Sequence, residues 1–152
     1  MRRLLTLLAT LGLSFAWAHA DLVSSEPEAG SLLTEAPAQV VLNYSEPVEV
    51  PFSIFKVYRL DAEVDLSADN AGQRLNGLAA QLINDVLELR DDAGAEARAD
   101  AGLETDGTTV DQVTFVLHDE LPDGHYVVMW RVLSIDTHVT QGFFVFSVEA
   151  GE

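Results

Sequence analysis

Between Tyr126 and Ser134 the chain alternates so strictly that Tyr126, Val128, Trp130, Val132 and Ser134 fall on one face of an extended strand. A strand of that length with one apolar face must lie in a sheet that covers a core. The same series runs on to Asp136 and His138, so the apolar face leads to two polar side chains at its end. Other segments read the same way. Residues 39–44 (QVVLNY), 52–60 (FSIFKVYRL) and 112–118 are rich in β-branched and aromatic residues. Leu121-Pro-Asp-Gly124 is a turn, and 142–149 is a last strand with Phe144, Phe146 and Val148 on one side. Phe143 and Val145 make its other side apolar too.

About seven strands punctuated by Pro27, Gly30, Pro37, Pro47 and Pro51 predict an all-β fold, an antiparallel sandwich of immunoglobulin-like type. One segment departs from it. Leu75, Leu78, Leu82, Val86 and Leu89 recur at three- and four-residue spacings, which predicts an amphipathic helix over 75–89. The Asp-, Ala- and Gly-rich stretch 90–107 that follows is expected to be a solvated loop. Together they form an insertion between strands, at about 75–107.

The N-terminus reads as an export signal. Arg2 and Arg3 precede an apolar run from Leu4 to Phe15 that is short for a bilayer span, and Ala16-Trp17-Ala18 offers a small-x-small cleavage pattern. The expected organisation is therefore a signal at 1–18 and one domain at 19–152. Ala18-His19-Ala20 also satisfies the cleavage pattern and would leave Asp21 first, so both cuts stand. No apolar run near 20 residues follows, which predicts no membrane insertion after the signal is removed.

Composition narrows the chemistry. Without cysteine the fold has no disulfides, and any transition metal must be held by nitrogen and oxygen. The whole chain carries a formal charge of −17, and loss of Arg2 and Arg3 would bring it to −19, with 25 acidic residues against six basic ones. Such a field repels nucleic acid and favours cations, and it suits a monomer.

Asp136 and His138, two apart on an extended backbone, would have Cα atoms about 6.6 Å apart and side chains pointing the same way. If cleavage follows Ala18, His19 adds its terminal amine and its ring. Three nitrogens and one Asp136 oxygen suit tetragonal Cu(II), whereas zinc prefers a tetrahedron. His118, at a strand end, and His125, beside a turn glycine, are expected to be solvent-facing or locally bonded. Met129, the one methionine after the signal, is expected to pack, and Trp130 and Tyr126 to lie in the core. Arg131 and Ser134 can position the ligand loop or serve structure alone.

At this point HADLVSSEPEAG, NYSEPVEV and above all LPDGHYVVMWRVLSIDTHVTQGFFVFSV resemble the copper-resistance protein C (CopC) family of periplasmic copper-binding proteins, over about residues 19–58 and 112–149. The resemblance implies a seven-strand Greek-key sandwich. It implies one Cu(II) per chain, held by the residues that land on His19, Asp136 and His138, with Glu46 as an acidic neighbour. It also favours the cut after Ala18. The implied role is non-enzymatic copper sequestration, homeostasis or delivery in the periplasm, with an inner-membrane importer or another copper-handling protein as partner. Two other readings stay open: an oxidative copper enzyme with a histidine brace, and a metal-free sandwich acting through protein contacts. Four protein donors argue against the first, since they leave an oxidant little room. Relatives that hold Cu(I) in a methionine-rich loop are not matched here, and the insertion is longer than the family's usual connection.

Overall fold

The computed structural model describes residues 20–150. In chain order the strands are β1 (Leu22–Glu26), β2 (Leu32–Leu33), β3 (Gln39–Glu49), β4 (Ile54–Leu60), β5 (Asp100–Leu103), β6 (Thr109–Leu117), β7 (Gly124–Leu133) and β8 (Val139–Val148), with one α-helix, α1 (Ala71–Val86), and a single 3-10 turn at Val50–Phe52. They form two four-stranded sheets, β1-β3-β6-β5 and β2-β8-β7-β4, antiparallel throughout except where the two residues of β2 run parallel to β8. The expected sandwich is present, with eight strands rather than seven.

The alternation in β7 does what its period requires. Tyr126, Val128, Trp130 and Val132 point between the sheets, where they meet Val40, Leu42, Tyr44 and Val48 of β3, Phe115 of β6, and Phe144, Phe146 and Val148 of β8. The rings of Tyr126 and Phe146 stack at 5.3 Å, and Tyr44 meets Trp130 edge-on at 6.5 Å. Gly142 lies opposite Trp130 in the β7–β8 ladder, and a Cβ there would come within 2.6 Å of the indole.

The other face of the second sheet is equally apolar because a third layer covers it. Tyr58, Val127, Met129 and Val145 pack under α1, whose buried residues Ala71, Leu75, Ala79 and Ile83 follow the four-residue spacing of one helix stripe. Met129 is therefore a packing residue, as its sequence context suggested. The helix begins four residues earlier than the leucine pattern, at Ala71, because small alanines also serve the interface. Leu89, the last member of that pattern, lies beyond the helix and is half exposed. Leu75→Ala should cost about 2–5 kcal/mol by opening a cavity between α1 and the sheet, measurable by urea denaturation.

The stretch 90–107 is not simply a solvated loop. It contains β5, and Asp92, Ala99 and Asp100 are buried. Lys56, reaching out from β4, donates to the carbonyls of Val86 and Leu89 at 2.6 and 2.7 Å and pairs with Asp92 at 2.6 Å. Tyr58 also donates to Asp92, and Arg98 bridges Asp92 and Asp100. The Ala99 amide donates to the Val57 carbonyl, and the Arg59 amide to Ala97. The insertion is thus stitched to the free edge of β4. Individually these residues resemble surface charges. The contacts that Lys56 and Tyr58 make with the insertion span 30 or more positions in the chain, beyond the reach of local pattern.

Candidate metal centre

The β7–β8 hairpin ends in a tight turn, residues 134–138. The Ser134 amide donates to the His138 carbonyl at 2.9 Å, and the Thr137 amide to the Ser134 carbonyl at 2.9 Å. Thr137 takes the left-handed conformation that closes the turn, at φ 72°. β7 therefore stops at Leu133, and Asp136 and His138 do not continue an extended strand as the alternation suggested. Their side chains converge for a different reason: the chain reverses between them.

The convergence is close. His138 Nδ1 and Asp136 Oδ2 are 2.7 Å apart, and Asp136 Oδ1 accepts from the His138 amide at 3.1 Å and from the Ser134 hydroxyl. Hydrogen bonding by Ser134 is the largest influence on the Asp136 carboxyl; desolvation opposes it, and with the added help of the His138 amide and ring the pKa is held at about 2. It is ionised at any physiological pH. The His138 side chain is 60% exposed and that of Asp136 25%, so the pair faces solvent and an ion can reach it.

Three segments meet around this turn. The Ile135 amide donates to the Pro47 carbonyl at 3.2 Å, and Ser134 bridges to Val48, which ties the turn to β3 beside Glu46. The start of the described chain joins them. The Thr140 hydroxyl donates to the Ala20 carbonyl at 3.0 Å, while Asp21 and Ser45 exchange hydrogen bonds, amide to hydroxyl at 3.0 Å and amide to carbonyl at 2.9 Å. Ala20 is buried. Thr140 and Ser45 are anchors that the sequence reading did not identify; a polar side chain on a strand gives no local sign that it grips a terminus. His19 lies outside the described residues.

The donors fit a borderline metal. Two ligands in neighbouring positions of a square around an ion at about 2.0 Å are separated by about 2.8 Å. The nitrogen and oxygen of His138 and Asp136 already stand at nearly that spacing, so a divalent ion can replace the proton they share. Among the described residues no group of three or more His, Asp or Glu is placed to hold a metal, so Glu46 does not complete such a cluster with the pair. The remaining histidines play other parts. His118 is exposed, and its backbone amide bonds the Ala99 carbonyl. His125 is buried with Nδ1 at 2.8 Å from the Ser147 hydroxyl; burial lowers its pKa, opposed in part by a backbone hydrogen bond with Val64.

The fold is a β-sandwich covered by one α-helix, with a nitrogen–oxygen pair exposed at the end of one hairpin beside the incoming N-terminal segment. The CopC domain matches residues 22–84 and 78–149. Protein YobA of Escherichia coli strain K12 is 29% identical over 133 residues, covering 88% of this chain and 81% of that protein. Copper resistance protein C of Escherichia coli is 27% identical over 140 residues, covering 91% and 89%. The crystal structure of PcoC, a methionine-rich copper resistance protein from Escherichia coli, superimposes with a TM-score of 0.57 at 26% identity, covering 87% of this chain and all of that one. The chain belongs to the CopC family. The members of this family are copper-binding resistance proteins, not enzymes.

Proposed function

We propose that this protein is a periplasmic Cu(II) carrier that binds one ion per chain through the amine and ring of His19, one oxygen of Asp136 and the ring of His138. The reading requires removal of residues 1–18, so that His19 becomes the N-terminus. The observation that carries it is the anchoring of Ala20. Its carbonyl is fixed by Thr140, two residues beyond His138, and adjacent Cα atoms are 3.8 Å apart. A residue bonded to Ala20 would thus be one step from an anchor on β8 that lies two positions past His138, which supports His19 as the third contributor, with Glu46 on β3 as an acidic neighbour.

The ligand set also separates this chain from the methionine-rich relative. Besides Met1 the chain has only Met129, which is fully buried beneath α1. Among the described residues no thioether reaches the surface to hold Cu(I), which supports the oxidised ion as the cargo. The partner is an inner-membrane importer or another copper-handling protein, and the carrier works as a monomer. Among the described residues no helix is long and apolar enough to cross a membrane.

The test is the intact mass of the exported protein, recorded natively with and without one equivalent of Cu(II). A mass beginning at His19 with one copper retained supports the reading. A mass beginning at Asp21 removes two of the four donors and returns the chain to a metal-free sandwich.

Acid should release copper through the nitrogen donors and not through the carboxylate. A terminal amine ordinarily titrates at about 7.7–8.0 and must lose its proton to bind, so affinity should fall about tenfold per pH unit below about 7 from the amine alone. Asp136, with its pKa near 2, stays ionised across that range. Competition titrations between pH 5 and 8 check the slope; a flat profile would exclude the amine as a donor.

A further inference from the structure

Resting on that reading of the site, we propose that Ser134 is its positioning residue: a buried hydroxyl that anchors the Asp136 carboxylate to the sandwich core and thereby sets the affinity for Cu(II). The contrast in burial is large. Ser134 is 1% exposed, beneath two ligands that face solvent. Its backbone is fixed on both sides, by the bridge to the core residue Val48 and by the exchange of hydrogen bonds with Thr137 and His138 across the turn.

From that fixed point its hydroxyl reaches one carboxylate oxygen. A hydroxyl has one proton, with the His138 carbonyl at 3.1 Å as the alternative acceptor, and the charged oxygen of Asp136 is both nearer and stronger. The division of labour within the carboxylate follows. Oδ1 is held by Ser134 and the His138 amide, which leaves Oδ2 turned toward the His138 ring, where the ion enters. Without the hydroxyl, the Asp136 side chain keeps only the exposed His138 amide and ring as partners and gains rotamers that point away from His138. Loss of an outer partner of a metal ligand commonly lowers affinity by about 10- to 100-fold.

The test compares wild type, S134A, S134T and H138A by chelator competition for Cu(II), by electron paramagnetic resonance of the copper-loaded proteins, and by melting of the apoproteins. S134A should bind at least about tenfold more weakly with altered copper hyperfine splitting, while S134T, which keeps the hydroxyl, should hold the wild-type spectrum. A purely structural serine would lower the melting temperature and leave the spectrum unchanged, which overturns the proposal, as does an S134T spectrum identical to that of S134A. H138A separates the two levels of inference. If H138A loses copper and S134A does not, only the role of Ser134 fails; if H138A keeps its copper, the site itself is wrong.

Discussion

His138→Ala is expected to weaken Cu(II) binding by more than about 100-fold, because removing a ligand should exceed the 10- to 100-fold typical of an outer partner. Asp136→Ala should approach the same loss, since the two side chains stand 2.7 Å apart and act on one ion. Neither change should disturb the fold. The hairpin is closed by backbone bonds from Ser134 and Thr137, and the core beneath it comes from Val48 and Val132, which neither substitution touches. One Gly added before His19 should be nearly as damaging, because it moves the free amine one residue away while every side chain is kept. Chelator competition measures all three, with circular dichroism to verify folding. Unchanged affinity in the His138 variant would remove the proposed site, and unchanged affinity in the extended variant would remove the amine from it.

The parts of this molecule that local pattern reveals are those whose partners lie nearby in sequence or on the same face. The period of two in β7 identifies Tyr126, Val128, Trp130 and Val132 as core, and the three-and-four spacing of Leu75, Leu78 and Leu82 identifies the helix. The Asp-x-His pair was visible as a candidate because the two residues stand two apart, although the extended backbone assumed for them is a turn. What the pattern concealed is non-local. Val127 and Met129 give β7 a second apolar face, as Phe143 and Val145 do in β8, and only the packing of α1 against that face shows what covers it. Asp92, Arg98 and Asp100 read as solvated charges because acidic and basic residues normally face water. Only the approach of Lys56 and Tyr58 from β4 turns them inward. The turn at 134–138 was likewise hidden, because a threonine at positive φ has no distinguishing composition.

Asp92→Ala should destabilise the protein by about 3 kcal/mol, at the lower end of what breaking a buried ion pair costs. The side chains of Lys56 and Asp92 are 4% and 8% exposed, so the loss of one carboxylate leaves an ammonium in a poorly hydrated place with only the carbonyls of Val86 and Leu89 as acceptors. Arg98 keeps Asp100, but the Tyr58 hydroxyl loses its acceptor. The damage should therefore concentrate where α1 and the following segment meet β4, visible as faster amide exchange at Val57 and Arg59. The double variant Lys56→Met, Asp92→Leu should recover most of the loss, because it removes both charges and fills the space with apolar volume. Acid gives an independent check. Burial works against ionisation of Asp92, but hydrogen bonds from Lys56 and Tyr58 and the charges of Arg98 and Lys56 outweigh it, and its carboxyl titrates below the ordinary value. A group whose pKa is depressed by folding stabilises the native state above its unfolded value, about 3.9, and loses that contribution as pH falls through the folded one. Wild-type stability should thus decline below about pH 4, and Asp92→Asn, already uncharged, should decline less over the same interval. Copper affinity at neutral pH should be nearly unaffected in the Asp92 variants, since Thr140 holds Ala20, Ser45 holds Asp21 and Ser134 holds Asp136 and His138, and none of the three joins this network.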